Sequence, residues 1–122
     1  MKRILIALLL CLPALCFAKP PDMYVDTGFR QPLGYQQLTN AALQSAVKLT
    51  IPTMPSGIAG PGFVVVQCQG GAVRWRDDAV APTASVGMTI PLGGELDYVG
   101  QISALQFVSS SGTPICDVSL YY

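Results

Sequence analysis

Histidine is absent from the 122 residues. Its absence removes Ser-His and Cys-His nucleophile pairs, imidazole metal sites and the usual general base near neutral pH. Charge is scarce as well: 11% of residues are charged, and seven Lys+Arg balance seven Asp+Glu. A chain so poor in cations has no basic face to follow a phosphate backbone, and too little charge to stay open as a disordered tail. Aromatics make up 8% and include a single tryptophan, Trp75. What is plentiful is hydrophobic residues at 51%, with 12 glycines and 10 prolines as punctuation. The length suits one compact domain rather than two.

The one long apolar run lies at the start, in MKRILIALLLCLPALCFA. Lys2 and Arg3 form a positive head, Ile4 to Leu12 an apolar stretch, and Cys16-Phe17-Ala18 a passable small-x-small cleavage site. Pro13 interrupts the run, which falls short of the roughly 20 apolar residues a membrane span needs. The expected organisation is therefore a signal peptide at 1–18 cleaved after Ala18, with an uncleaved anchor as the alternative. Neither Leu10-Cys11 nor Leu15-Cys16 places a small residue before the cysteine, as a lipoprotein signal would. The remaining 104 residues carry Lys19, Arg30, Lys48, Arg74 and Arg76 against seven acidic residues, a net charge of −2. Nucleic-acid and membrane-surface partners are disfavoured.

Export removes Cys11 and Cys16 and leaves Cys68 and Cys116 as the only pair. In Val64-Val65-Val66-Gln67-Cys68, alternation puts Val64, Val66 and Cys68 on one strand face; Cys116, Val118 and Leu120 share a face in the same way. Both thiols point to the core side. An oxidising compartment then favours a Cys68–Cys116 disulfide, with two buried free thiols as the alternative. Their spacing excludes a catalytic CxxC.

Residues 19–34 hold three prolines and two glycines without periodicity and read as an irregular arm. From Tyr35 to Tyr122 the pattern is β throughout. Strands are expected at 35–39, 46–51, 62–69, 72–76, 85–90, 95–99, 104–109 and 115–121, with a one-turn helical possibility at 40–45 read as loop. Pro52 to Gly62 is a loop. Gly70-Gly71 is expected to form a tight hairpin-like turn, and Ser110-Ser111-Gly112 another. About eight short strands spaced near ten residues apart predict an all-β domain at 35–122: a single β-sandwich, jelly-roll-like or immunoglobulin-like.

Few residues invite chemistry. Asp77 and Asp78 are adjacent at a strand end, where carboxylates cap a turn or pair with arginine, and Arg74 and Arg76 share one strand face nearby. The segment lacks the further oxygens of a calcium site. Trp75 between two arginines resembles a stacking platform for bases or sugars, yet its alternation with Val73 buries it as a core anchor. Serines are numerous, but none has a base, and Ser109-Ser110-Ser111-Gly112 is no nucleophile elbow. The expectation is a protein that is not an enzyme and takes no cofactor or metal. Arg74, Arg76, Asp77 and Asp78 are its candidate surface for a protein partner.

The run from Val65 through Gln67-Cys68-Gln69-Gly70-Gly71-Ala72-Val73-Arg74-Trp75-Arg76-Asp77-Asp78 to Pro82-Thr83-Ala84-Ser85-Val86-Gly87-Met88 resembles a family of small tailed-phage and prophage proteins. The family repeats a Q-x-x-G-G-x-V-R-W-R-D-D-G-x-x-P-T-A-x-x-G-M run. The likeness continues through Gly94–Tyr98 and Ala104–Val108 to Val118-Ser119-Leu120-Tyr121-Tyr122, and Gly34-Tyr35-Gln36-Gln37 looks like the family's opening strand. The resemblance implies a virion structural or head-decoration protein with a β-sandwich fold, partnered by other virion subunits or by copies of itself. Ala79 departs from the family's glycine, which puts the backbone of that turn in question. The signal peptide also departs from capsid assembly in the cytoplasm. It suits a particle assembled at the membrane, or a domain recruited to the periplasm or cell surface to bind and block a receptor.

Overall fold

The computed structural model describes residues 30–57 and 60–122. The expected signal peptide at 1–18 and residues 19–29 of the arm lie outside the described residues. The described chain is all-β, as its alternation predicts. Its strands form one antiparallel sheet of six, where the sequence predicts a sandwich of about eight short strands: β1 (Pro32–Leu38), β2 (Val47–Lys48), β3 (Phe63–Arg76), β4 (Met88–Ile90), β5 (Glu95–Tyr98) and β6 (Gln106–Tyr121). Two single-turn 3₁₀ segments, Ala42–Gln44 and Ile102–Ala104, complete it.

The lower strand count has one physical cause. Gly70-Gly71 does not reverse the chain; it lies inside the 14-residue β3, and Ser110-Ser111-Gly112 lies inside the 16-residue β6. The two long strands pair with each other from Phe63↔Tyr121 to Arg76↔Gln106, with register shifts at Gln69/Gly71 and Ala72/Val73. At that level both backbones bend. A Cβ on Gly71 would stand 2.1 Å from the Ser111 carbonyl oxygen, and one on Gly112 would stand 2.6 Å from that of Gly70. Gly70 and Gly112 also take φ of 79° and 69°, open to glycine at little cost. The glycines therefore let two strands turn a corner while staying paired.

The flanking segments turn the same corner. β5 pairs with the first half of β3 (Val64↔Tyr98 to Gln67↔Glu95), and β4 with its second half (Val73↔Ile90 to Trp75↔Met88). On the other side β1 pairs with the last part of β6 and β2 with its first part. The irregular arm ends earlier than its prolines predict, because β1 starts at Pro32. The strand expected at 46–51 shortens to two residues, since the chain leaves β6 after Lys48 and crosses the inner side of β1. There the Gln36 side chain donates to the Thr50 carbonyl and accepts from the Thr50 N–H, each at 3.0 Å, in place of a strand neighbour.

The sheet thus folds upon itself. Val64, Val66, Cys68, Cys116, Val118 and Leu120 line the inner face of one half; Val73, Trp75, Ile90 and Phe107 line the other, and all belong to one buried cluster. Cys68 and Cys116 are directly opposed and disulfide-bonded, with Cα atoms 4.1 Å apart. The Cys68 N–H and carbonyl bond the Gly93-Gly94 backbone on its other side, which leaves the Cys68–Cys116 pair in the close, non-hydrogen-bonded register that a cross-strand bridge needs. Closing a loop with sequence separation 48 is worth about 4 kcal/mol on the chain-entropy account.

Candidate functional site

The motif-rich stretch emerges at one end of the folded sheet. Trp75 is buried there and meets Tyr98 edge-on, with ring centres 5.8 Å apart. Arg74 and Arg76 occupy the opposite face of β3, as alternation requires, and both are half-buried. Arg74 donates from Nη1 to the Gly87 carbonyl at 2.8 Å, and its buried Nε has no partner among the described residues. Arg76 pairs with Asp78 through both guanidinium and carboxylate: Nε donates to Oδ1 at 3.0 Å, and Nη2 donates to Oδ2. Asp78 Oδ1 also accepts the Val80 N–H at 3.2 Å, so one carboxylate both holds the arginine and caps the turn. The Arg76 hydrogen bonds, helped by that N–H, hold the Asp78 carboxyl down at about 2.

Asp77 points elsewhere. It sits beside the Tyr98 phenol, whose pKa is raised first by partial burial and then by the Asp77 charge. The structure thus splits the four candidate surface residues. Arg76 and Asp78 form an exposed ion pair, Asp77 faces Tyr98, and Arg74 is tied to the backbone entering β4.

The rest of the run serves the same loop. Ala79 adopts φ of 63°, so the turn keeps the left-handed backbone of a glycine although an alanine occupies it. Thr83 and Val86 exchange backbone hydrogen bonds, and the Thr83 hydroxyl accepts the Val86 N–H at 3.1 Å. Pro82 is buried, and Gly87 lies where a Cβ would stand 2.9 Å from the Trp75 carbonyl. These residues build a corner, an ion-paired turn and a tight return into β4. None of them forms a nucleophile–base pair.

One residue on this return was not singled out by its sequence. Met88 lies opposite Trp75, two residues before buried Ile90, on the core-facing side of β4, yet it is 61% exposed. Met88 thus stands in solvent at the margin of the core, beside buried Trp75. A recess of about 260 Å³ opens there between Trp75, Arg76, Asp77, Gly87 and Met88. Val80 and Val86, both about half exposed, lie on the same loop.

A second group is equally hidden in the sequence. On the outer face of the β1–β6–β3–β5 half, register aligns Gln37, Asp117, Gln67 and Glu95 in one row across four strands. Tyr35 donates its hydroxyl to Asp117 Oδ1, which also accepts from Gln37 Nε2 at 2.9 Å. These bonds, Tyr35 first, lower the Asp117 pKa, and the same contact raises that of Tyr35. Gln67 Nε2 donates to Glu95. Each residue sits at an outward position of its strand, which alternation reveals, but only the register brings them into one row.

Among the described residues, no group of three or more acidic or cysteine side chains is placed to hold a metal ion, and no helix is long and apolar enough to cross a membrane. Comparison with protein-family models, with curated proteins and with solved structures finds no match.

Proposed function

We propose that this chain is a non-catalytic, exported binding protein that docks onto a protein partner through the open end of its folded sheet. The observation that carries this reading is Met88: a core-side residue facing Trp75 that stays 61% exposed, next to a recess and the Arg76–Asp78 pair. An apolar centre with a charged rim is the usual anatomy of a protein contact. The likeness of Val65–Met88 to small phage proteins supports a virion subunit as partner. The N-terminal pattern and the Cys68–Cys116 bridge support export to an oxidising compartment.

A second reading rests on the same export signal: a periplasmic or surface module that occupies a receptor and blocks adsorption of other phages. Mass spectrometry of purified particles beside the periplasmic fraction of the same cells separates the two. A chain in particles, starting at Lys19 and two hydrogens lighter than its reduced mass, is the expected outcome. A chain found only in the periplasm overturns the virion role and favours receptor blocking, which loss of phage adsorption in cells expressing the gene alone then checks.

A further inference from the structure

The outer face of the β1–β6–β3–β5 half carries a polar row across its middle. Its central row, Gln37–Asp117–Gln67–Glu95, alternates amides and carboxylates across four strands, which at the usual strand spacing extends over about 14 Å. The next row begins with Tyr35, 64% exposed. Tyr35 stands opposite Ser119, but its hydroxyl reaches diagonally to Asp117, the partner of Gln37. The ring is therefore tethered at its hydroxyl while most of it stays open to solvent. Beside the row, Gln67, Gln69, Gly93, Glu95 and Asp117 line a cleft of about 300 Å³, at the lower end of the range for small-ligand sites.

We propose that this face is a binding site for a neutral oligosaccharide, with the Tyr35 ring as stacking platform and the amide–carboxylate row as its hydroxyl-binding strip. A sugar ring presents an apolar C–H face bounded by hydroxyls that both donate and accept. The exposed ring of Tyr35 matches the first, and the Gln amides together with the Asp117 and Glu95 carboxylates match the second. In the free protein these polar groups satisfy one another, so a ligand hydroxyl exchanges one hydrogen bond for another rather than stripping a bare charge. Charge selects the class of sugar. No Lys or Arg occupies an outward position of these four strand segments, and the nearby Arg30 guanidinium is stacked 3.4 Å above the Phe63 ring. Sulfated or phosphorylated ligands would meet carboxylates instead of cations.

This site shares no residue with the Met88 recess, so either can fail without the other. The test is an NMR titration of isotope-labelled, disulfide-intact protein, purified from cells expressing the full chain, with cellohexaose, maltohexaose and chitohexaose, and a heparin hexasaccharide as the acidic control. At least one neutral hexasaccharide is expected to shift the amides of Tyr35, Gln37, Gln67, Glu95 and Asp117 and leave that of Met88 unmoved. Tyr35→Ala, a change on an exposed edge-strand position, is expected to weaken that binding by several-fold to about tenfold, the size of one lost ring contact. Gln67→Ala should weaken it with the ring intact. The proposal is overturned if none of the three sugars shifts this face, if Tyr35→Ala and Gln67→Ala both bind as well as the parent, or if the heparin fragment binds as tightly as the best neutral sugar.

Discussion

Trp75 and Tyr98 touch edge-on, 5.8 Å between ring centres, although they belong to opposite halves of the sheet. Tyr98 pairs with Val64, and Val64 lies eleven residues before Trp75 in β3, which in a straight strand would be about 36 Å away. Only a sheet folded at Gly70-Gly71 brings them together. Trp75→Ala should cost about 3–5 kcal/mol as a large buried deletion. In a double-mutant cycle with Tyr98→Ala, the coupling should be about 0.5–1.5 kcal/mol. Additive losses in urea melts would mean that the two halves do not meet.

The corner itself can be tested by one methyl group. Gly71→Ala places a Cβ 2.1 Å from the Ser111 oxygen and 2.9 Å from Pro114 Cδ, with no flexible neighbour to yield. The expected loss is at least about 1–3 kcal/mol, typical of overpacking. Gly62→Ala is the control: nothing lies within 4 Å of its Cβ position, and its effect should stay within about 0.5 kcal/mol. Equal melting of the two variants would contradict the close crossing of β3 and β6.

Alternation made the inner faces legible: Val64, Val66 and Cys68, and Cys116, Val118 and Leu120, point inward as their spacing requires, with the two thiols bonded. The continuity of β3 was not legible. A Gly-Gly pair between two β runs reads as a hairpin turn, and only its partner shows otherwise: Gly112 lies opposite Gly71, so that both backbones can bend without a side chain between them. Register is a long-range property. It aligns Gln37 with Asp117, Gln67 and Glu95, four residues that local sequence scatters over the whole domain. Met88 was invisible for the opposite reason: its alternation is that of a core residue, and only the end of the sheet leaves it bare.

Ala79 offers a gain rather than a loss. Its φ of 63° is left-handed, a conformation that costs an L-residue about 1–2 kcal/mol and glycine almost nothing. Glycine gives back about 0.5–1 kcal/mol through the greater freedom of the unfolded chain. Ala79→Gly should therefore stabilise by about 0.5–1 kcal/mol. A lower melting temperature for the glycine variant would show that the turn does not hold this backbone.

Asp78 sets an acid limit on its own turn. Its carboxyl is held at about 2 against an ordinary value of 3.8, chiefly by Arg76. Because the folded value is the lower one, the pair contributes stability above about pH 4 and loses it as pH falls to about 2. A carboxyl-carbon NMR titration should place the Asp78 midpoint near 2, and Arg76→Gln should return it toward 3.8. Asp117 should also titrate below its usual value, and Tyr35→Phe should move it back up without affecting Asp78. An Asp78 midpoint that ignores Arg76→Gln would break the assignment.

The docking reading is tested where folding and binding separate. Met88 faces Trp75 but lies mostly in solvent, so Met88→Asp removes little packing and should change stability by no more than about 0.5 kcal/mol. A carboxylate placed at the centre of an apolar contact would have to be desolvated on docking, and Asp77 beside the same recess adds like-charge repulsion. Particles from cells carrying Met88→Asp should therefore lose the chain while its melting temperature holds. Replacing Arg74 and Arg76 together asks the complementary question. Arg74 is tied to the Gly87 carbonyl and Arg76 to Asp78, so a purely internal role predicts a lower melting temperature, whereas a rim contact predicts lost incorporation with melting unchanged. Met88→Asp protein that still enters particles at the parent level would remove the open end of the sheet as the docking surface.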